Sequence, residues 1–423
     1  MSVAYRETTL TNGLRVAAEI DPQAQSAAVG YFVRTGARDE TTALMGVSHF
    51  LEHMMFKGSQ DRDAVRVNND LDAIGAVHNA FTGHEITAYH AHVLPEHLDR
   101  ALELVSDLFR PALRSADLEE ERGVILEEIA MYADNPGWVL FEEMMDRWYP
   151  LHGLGHRVLG TPESVRGISR EAMSEYFRRR YSPDNTFLVA AGRLDFEALV
   201  ARAQQETADW PASQPVRPLV QPQCGSGRWQ RSEQKLNRSY TAMLWAGPGA
   251  TNPKRYAGAV FSAILGDREG SRLYWALVEP GIAEGAEVGC DLHLDCGEFI
   301  CSIAAESARA DQCESLALKT IQSIPGTITP DDLARARSKF ATGATLAGEL
   351  PHGRMNRLGS MLCTHGKWSP LEDELARIQA VSLADIDAML EEYPCQPTLI
   401  GRLDPAEKKE AQGGLQAASS AGP

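Results

Sequence analysis

The sequence predicts an α+β protein of two tandem domains, and three observations lead there. At 423 residues the chain is longer than one ordinary core organises. Its first half alternates strand-like and helix-like runs. From Pro211 to about Gly227, Pro, Gln, Ser and Gly erase all periodicity, and the same alternation then restarts. The expected layout is therefore a domain over 1–210, a linker over 211–227, a second domain of the same fold over 228–404, and a tail over 405–423 too poor in apolar residues to pack.

Composition narrows the function. With 43% hydrophobic and 23% charged residues the chain reads as a soluble globular protein. A net charge of −17 argues against nucleic acid as a partner, since a phosphate-binding surface needs excess Lys and Arg, and suits a basic peptide instead. No apolar run reaches the length of a membrane span, and the first residues lack a signal-peptide core. The seven cysteines all lie at or beyond Cys224 and form no C-x-x-C pair, so reduced thiols in a cytoplasmic protein are expected.

The elements follow in order. RETTL and LRVAAEI alternate around Asn12-Gly13 and predict a hairpin; AAVGYFVRTG is a further strand. GVSHFLEHMMFKG, residues 46–58, is helical, with no Pro or internal Gly between Val47 and Lys57. It contains His49, Glu52 and His53 as H-x-x-E-H, the inverted zincin motif. Residues three and four apart share a helix face, so two imidazoles sit side by side with a carboxylate next to them. That pattern suits Zn²⁺ and a base for its water, but catalytic zinc needs a third protein ligand from elsewhere.

DAVRVNNDLDAIG predicts a helix stopped by Gly75, and AVHNAFTGHEITAYHAHVL two strands around Thr82-Gly83-His84. His78, His84, His90 and His92 crowd this region, and His90 and His92 share a strand face, but alternation explains them without a second metal. After a helix through LDRALELVSDLF comes SADLEEERGVILEEIAMYADNP, a helix capped by Ser115 or Asp117 and closed by Asn135-Pro136. Glu121 and Glu128 are seven residues apart, two turns, and share a face with Val124 and Ile125 between them. A carboxylate turned toward a core needs a cation. Spacing alone does not choose between Glu127 and Glu128. SREAMSEYFRRRYSPDN, TFLVAAGRLD and FEALVARAQQETADW complete the half as helix, buried strand and helix. SYTAMLWAGPG, NPKRYAGAVFSAILG and EFICSIAAES repeat strand, helix and strand in the second.

HFLEHMMFKG, then NAFTGHEITAY, then ERGVILEEI, in this order, resemble the pitrilysin/insulinase (M16) metallopeptidases, in particular the short members akin to mitochondrial processing peptidase. The resemblance covers most of the chain. It implies two homologous domains, each a mostly antiparallel sheet flanked by helices (LuxS/metalloproteinase-like), forming half of a clam-like chamber. It implies one Zn²⁺ per chain, with His49, His53 and Glu128 as ligands, Glu52 as general base, and Glu121 as the acid orienting a ligand. It also makes Asn79, Ala80 and Phe81 the edge on which a peptide or unfolded polypeptide lies as an added strand.

One departure bears on mechanism. Active members of the family place an Arg and a Tyr seven residues apart in the second half, where they steady the substrate carbonyl. In GSRLYWALVEPGIAEGAEV those positions fall on Leu277 and Glu284, and Arg272 and Tyr274 match a preceding segment instead. Two explanations fit the departure: a zinc-bearing subunit in a hetero- or homodimer with a related chain that supplies the pair, which the complete zinc residues favour, or a chain that cleaves slowly alone or with other donors such as backbone N–H groups. The alternative is a non-catalytic assembly subunit sharing the fold, which has no need to keep the full metal set.

Overall fold

The structure is a computed structural model that describes residues 3–406; positions 407–423 of the expected tail lie outside the described residues, and Pro405 belongs to the last strand. Asn12-Gly13 turns β1 (Ala4–Thr9) onto β2 (Arg15–Ile20), and β3 (Ala27–Val33) follows. Next come α1 (Val47–Phe56), α2 (Ala64–Ala73), β4 (Val77–Thr82) and β5 (Thr87–Val93). Five helices precede β6 (Thr186–Gly192): α3 (Leu98–Leu108), α4 (Ser115–Ala133), α5 (Pro136–Trp148), α6 (Pro162–Gly167) and α7 (Arg170–Arg180). α8 (Phe196–Thr207) ends the half, and residues 211–226 form neither helix nor strand.

The second half runs β7 (Gly227–Glu233), β8 (Ser239–Gly247), α9 (Arg255–Gly266), a π-helical turn Tyr274–Val278, β9 (Gly285–Leu292) and β10 (Gly297–Ala305). Again five helices follow: α10 (Ala310–Gln322), α11 (Pro330–Ala347), α12 (Pro351–His365), α13 (Leu371–Ala380) and α14 (Leu383–Glu392). β11 (Leu399–Pro405) closes the described chain.

The first sheet has the order β1-β2-β6-β3-β5-β4 and the second β7-β11-β8-β10-β9. Each contains one parallel pair, β2 with β6 and β7 with β11, and every other pair is antiparallel. Without β1 the two orders coincide strand for strand. The halves are thus two copies of one topology, a duplication the sequence shows only as a repeated alternation.

Strand alternation gives each sheet two apolar faces. On one face of the first sheet, Val29, Tyr31 and Tyr89 pack with Phe50, Leu51 and Met54 of α1 and Leu102 and Val105 of α3. Its other face, with Ala28, Phe32 and Val189, is covered by Met355, Leu358 and Leu362 of α12, from the second half. The second sheet is covered in return by α5 of the first half, through Leu140, Met144 and Trp148 against Leu244 and Leu403. α5 and α12 are each the third of five helices between the equivalent strands, so the halves exchange the same element. Glycines permit both contacts: a Cβ on Gly359 would lie 2.5 Å from the Phe32 ring, and one on Gly401 would lie 2.1 Å from Met144 Sδ.

Some local expectations change. α4 begins at Ser115 with Arg114 as its N-cap and no capping side chain, because Asp117 pairs with Arg114 at 3.3 Å instead. Asn135 accepts from Trp138 N, and Pro136 opens α5, so the pair starts a helix as well as ending one. Among the described residues, no helix is long and apolar enough to cross a membrane.

Candidate metal centre

The motif helix α1 is anchored by an acid six residues ahead of its N-cap. Glu40 accepts from Gly46 N and Ser48 N, both at 2.7 Å, and so satisfies free N–H groups of the first turn where the helix dipole favours negative charge. Burial pushes its carboxyl up to about 7, against the pull of those two N–H groups. Val47, Phe50, Leu51 and Met54 fix the inner face of α1 in the core, which leaves His49, Glu52 and His53 on the opposite side.

α4 packs against α1 through Leu118 and Ile125, and it carries Glu128 to the histidines. Glu128 Oε2 lies 3.7 Å from His49 Nε2 and 3.7 Å from His53 Nε2. Among the described residues, His49, His53 and Glu128 are the one group of His, Cys, Asp and Glu side chains spaced to hold a metal, with ligand atoms within 4.8 Å of one another. Glu127 is exposed and outside the group. Two imidazoles and one carboxylate are a donor set suited to catalytic zinc.

Protonation states agree with that use. Burial, and then the neighbouring His53, pulls His49 down to about 4, so its imidazole is neutral and has a lone pair at neutral pH. His53 Nδ1 contacts Glu121 Oε2 at 2.9 Å, which turns its Nε2 toward Glu128. Glu121 also accepts from Lys57 Nζ at 2.7 Å. Burial alone would raise its carboxyl, but the Lys57 and His53 contacts hold it below the usual range. Glu121 therefore stands behind the metal group rather than in it. His49 has no matching tie, as its Nδ1 is buried without a partner.

Glu52 is raised by burial, less the effect of a hydrogen bond from the Thr82 hydroxyl to its Oε2 at 2.6 Å. Thr82 is the site residue that sequence reasoning missed. Asn79, Ala80 and Phe81 lie on β4, the free edge of the first sheet, which also bears Thr82. Val77, Asn79 and Phe81 of this edge are exposed.

The second half offers no Arg or Tyr at the two positions noted. Leu277 is fully buried in the second core, and Glu284 is exposed and paired with Arg238. Arg272 is held by Asp332, and Tyr274 donates to Glu279 at 2.9 Å. His90 and His92 share a face as expected and meet His352 of α12, with ring centroids 4.6 and 6.3 Å away. His92 Nε2 is taken by Ser26 at 2.7 Å, and the three histidines are not spaced as a metal group.

Comparisons with known proteins bear on this geometry. The family model described as "Insulinase (Peptidase family M16)" matches residues 15–162, and that described as "Peptidase M16 inactive domain" matches residues 167–340. An uncharacterised zinc protease of Streptomyces coelicolor is 30% identical over 96% of this chain and 91% of its own length. Among solved structures, a protease from Helicobacter pylori superposes with a TM-score of 0.87 at 19% identity, covering 95% of this chain and all of its own. Complex III2 from Candida albicans contains a chain with a TM-score of 0.82 at 18% identity, covering 94% of this chain and 95% of that one. At such identities the structural likeness speaks for the fold alone.

Proposed function

The chain belongs to the M16 peptidase family, and we propose that it is a zinc-dependent endopeptidase acting on short or unfolded polypeptides. The observation that carries the reading is the convergence of His49, His53 and Glu128, with Glu52 near enough to feel the charges of His53 and Glu128. His49, His53 and Glu128 would hold one Zn²⁺, which supplies a Lewis acid that polarises a peptide carbonyl and promotes ionisation of a water. Glu52 takes the proton of the attacking water and returns it to the amine nitrogen as the peptide bond breaks. Glu121 fixes the tautomer of His53 by accepting at Nδ1. An extended substrate would add to the free edge of β4 at Asn79, Ala80 and Phe81, where main-chain pairing gives affinity with little sequence preference.

Leu277 is buried and Glu284 is paired with Arg238, so these two positions offer no Arg or Tyr to the substrate carbonyl. We therefore assign it the zinc-bearing role in a dimer with a related subunit that supplies them across a closed chamber. The likeness to a chain of Complex III2 favours, as second reading, a non-catalytic assembly subunit. The complete metal group weighs against it.

Cleavage of a quenched-fluorescent peptide library, with Glu52→Gln as control, tests the proposal. Activity that disappears in Glu52→Gln supports the peptidase and makes an outside Arg and Tyr dispensable. A zinc-loaded chain that cleaves only with a co-purifying related subunit supports the divided site. No cleavage in either form, with no zinc bound, favours the assembly reading.

A further inference from the structure

The carboxylate of Glu52 is steadied by a strand rather than by its own helix. Thr82, the last residue of β4, donates its hydroxyl proton to Glu52 Oε2 at 2.6 Å. The turn that follows Thr82 is fastened from several sides. Gly83 O and His84 O accept from Ala37 N and Arg38 N at 3.2 and 2.8 Å. That approach requires a bare Gly36, where a Cβ would lie 2.2 Å from Gly83 O. The carbonyl of Glu85 accepts from Arg217 at 2.7 Å.

The remaining fastening reaches into the other half of the molecule. The Glu85 carboxylate accepts from Arg38 at 2.6 Å and from Leu294 N at 2.9 Å. Arg38 makes two further bonds to Asp295, at 2.7 and 3.0 Å. The side chains of Arg38, Glu85 and Asp295 are only 3%, 15% and 12% exposed, so the charges are fixed rather than loosely solvated. Leu294 and Asp295 lie in the turn between β9 and β10, the duplicate of the β4–β5 hairpin. The turn of each hairpin thus clasps the turn of its copy.

We infer that Thr82 is a positioning residue for Glu52, and that the half lacking metal ligands keeps Thr82 in place through this turn-to-turn clasp. Its chemical consequence rests on the peptidase reading; its geometry does not. The strand on which a peptide would pair also orients the base, so substrate alignment and base alignment share one element.

The test uses the full-length zinc-loaded protein, together with a co-purifying related subunit where cleavage needs one, as wild type, Thr82→Val, Thr82→Ser and Asp295→Asn. Thr82→Val, equal in shape but without the donor, is expected to keep its zinc and its KM and to lose about ten- to a hundredfold in kcat. Thr82→Ser is expected to restore kcat. Asp295→Asn should lower kcat in the same direction, again with zinc retained. Crystal structures of the Thr82 variants give a second readout: the Glu52 carboxylate leaves its place in Thr82→Val and keeps it in Thr82→Ser. An unmoved carboxylate in Thr82→Val, or an unchanged kcat there, overturns the inference. A wild type that cleaves nothing, alone or with a co-purifying related subunit, defeats the peptidase reading instead, and the crystallographic comparison then decides the positioning alone.

Discussion

Replacing Glu121 by Gln tests how this chain prepares its histidines for metal. Glu121 is 8% exposed and bridges His53 Nδ1, at 2.9 Å, and Lys57 Nζ, at 2.7 Å. Gln keeps the shape and an acceptor oxygen but removes the charge. A charge-assisted bond is about twice as strong as a neutral one, so His53 becomes both a less basic and a less firmly oriented ligand. Losing such a partner costs about 10- to 100-fold in metal affinity, equivalent to about 1.4–2.7 kcal/mol. The fold should survive, because Lys57 retains Glu120 at 3.5 Å. Glu121 lies below the usual carboxylate range and is ionised throughout the neutral range, so the loss should not vary with pH there. Competition with a chromophoric chelator measures zinc affinity directly. An affinity within about twofold of wild type, against the expected 10- to 100-fold, refutes the reasoning. So does an equal loss in Glu120→Gln, which would implicate Lys57 rather than His53.

Other predictions concern the exchanged helices. Burial, and then the charges of His352, His78 and His92, holds His90 at about 4 against an ordinary 6.5. Below pH 6.5 the unfolded chain binds a proton that the folded chain refuses, so stability falls as pH drops from about 6.5 toward about 4. The full contribution is about 3 kcal/mol, of which about 2 kcal/mol is lost by pH about 5. His90→Phe should flatten this part of the slope in urea unfolding, and an unchanged slope contradicts the assignment. Gly359→Ala presses a methyl into the Phe32 ring and should cost about 1–3 kcal/mol by the same measurement. Gly401→Ala should cost less, because the obstacle is the flexible Met144 side chain. A larger loss in Gly401→Ala than in Gly359→Ala contradicts that ordering.

Much of the site was legible because it is local. His49, Glu52 and His53 lie within one helical turn of each other, and Glu121 and Glu128 within two turns on another helix, so periodicity alone put each set on a face. Glu127 against Glu128 was not decidable from spacing, because the packing of Leu118 and Ile125 sets the rotation of α4. Thr82 gave no signal, since its partner is 30 residues away and a Thr ending a strand is ordinary. Glu40 was unreadable as a cap for a similar reason: it reaches Gly46 and Ser48 from a separate turn. In the fold, the early hairpin at Asn12-Gly13 was plain. β9, with Gly285, Gly289 and acids in alternation, carries little strand propensity and was not read. The exchange of α5 and α12 was hidden in principle: an apolar helix face announces that it will be covered, not which sheet will cover it.

The measurement that bears most directly on the metal centre is anomalous diffraction at the zinc edge from crystals of the zinc-loaded protein. One peak per chain, between His49 Nε2, His53 Nε2 and Glu128 Oε2, is the predicted result. No peak there, or one at His90, His92 and His352 instead, would contradict it.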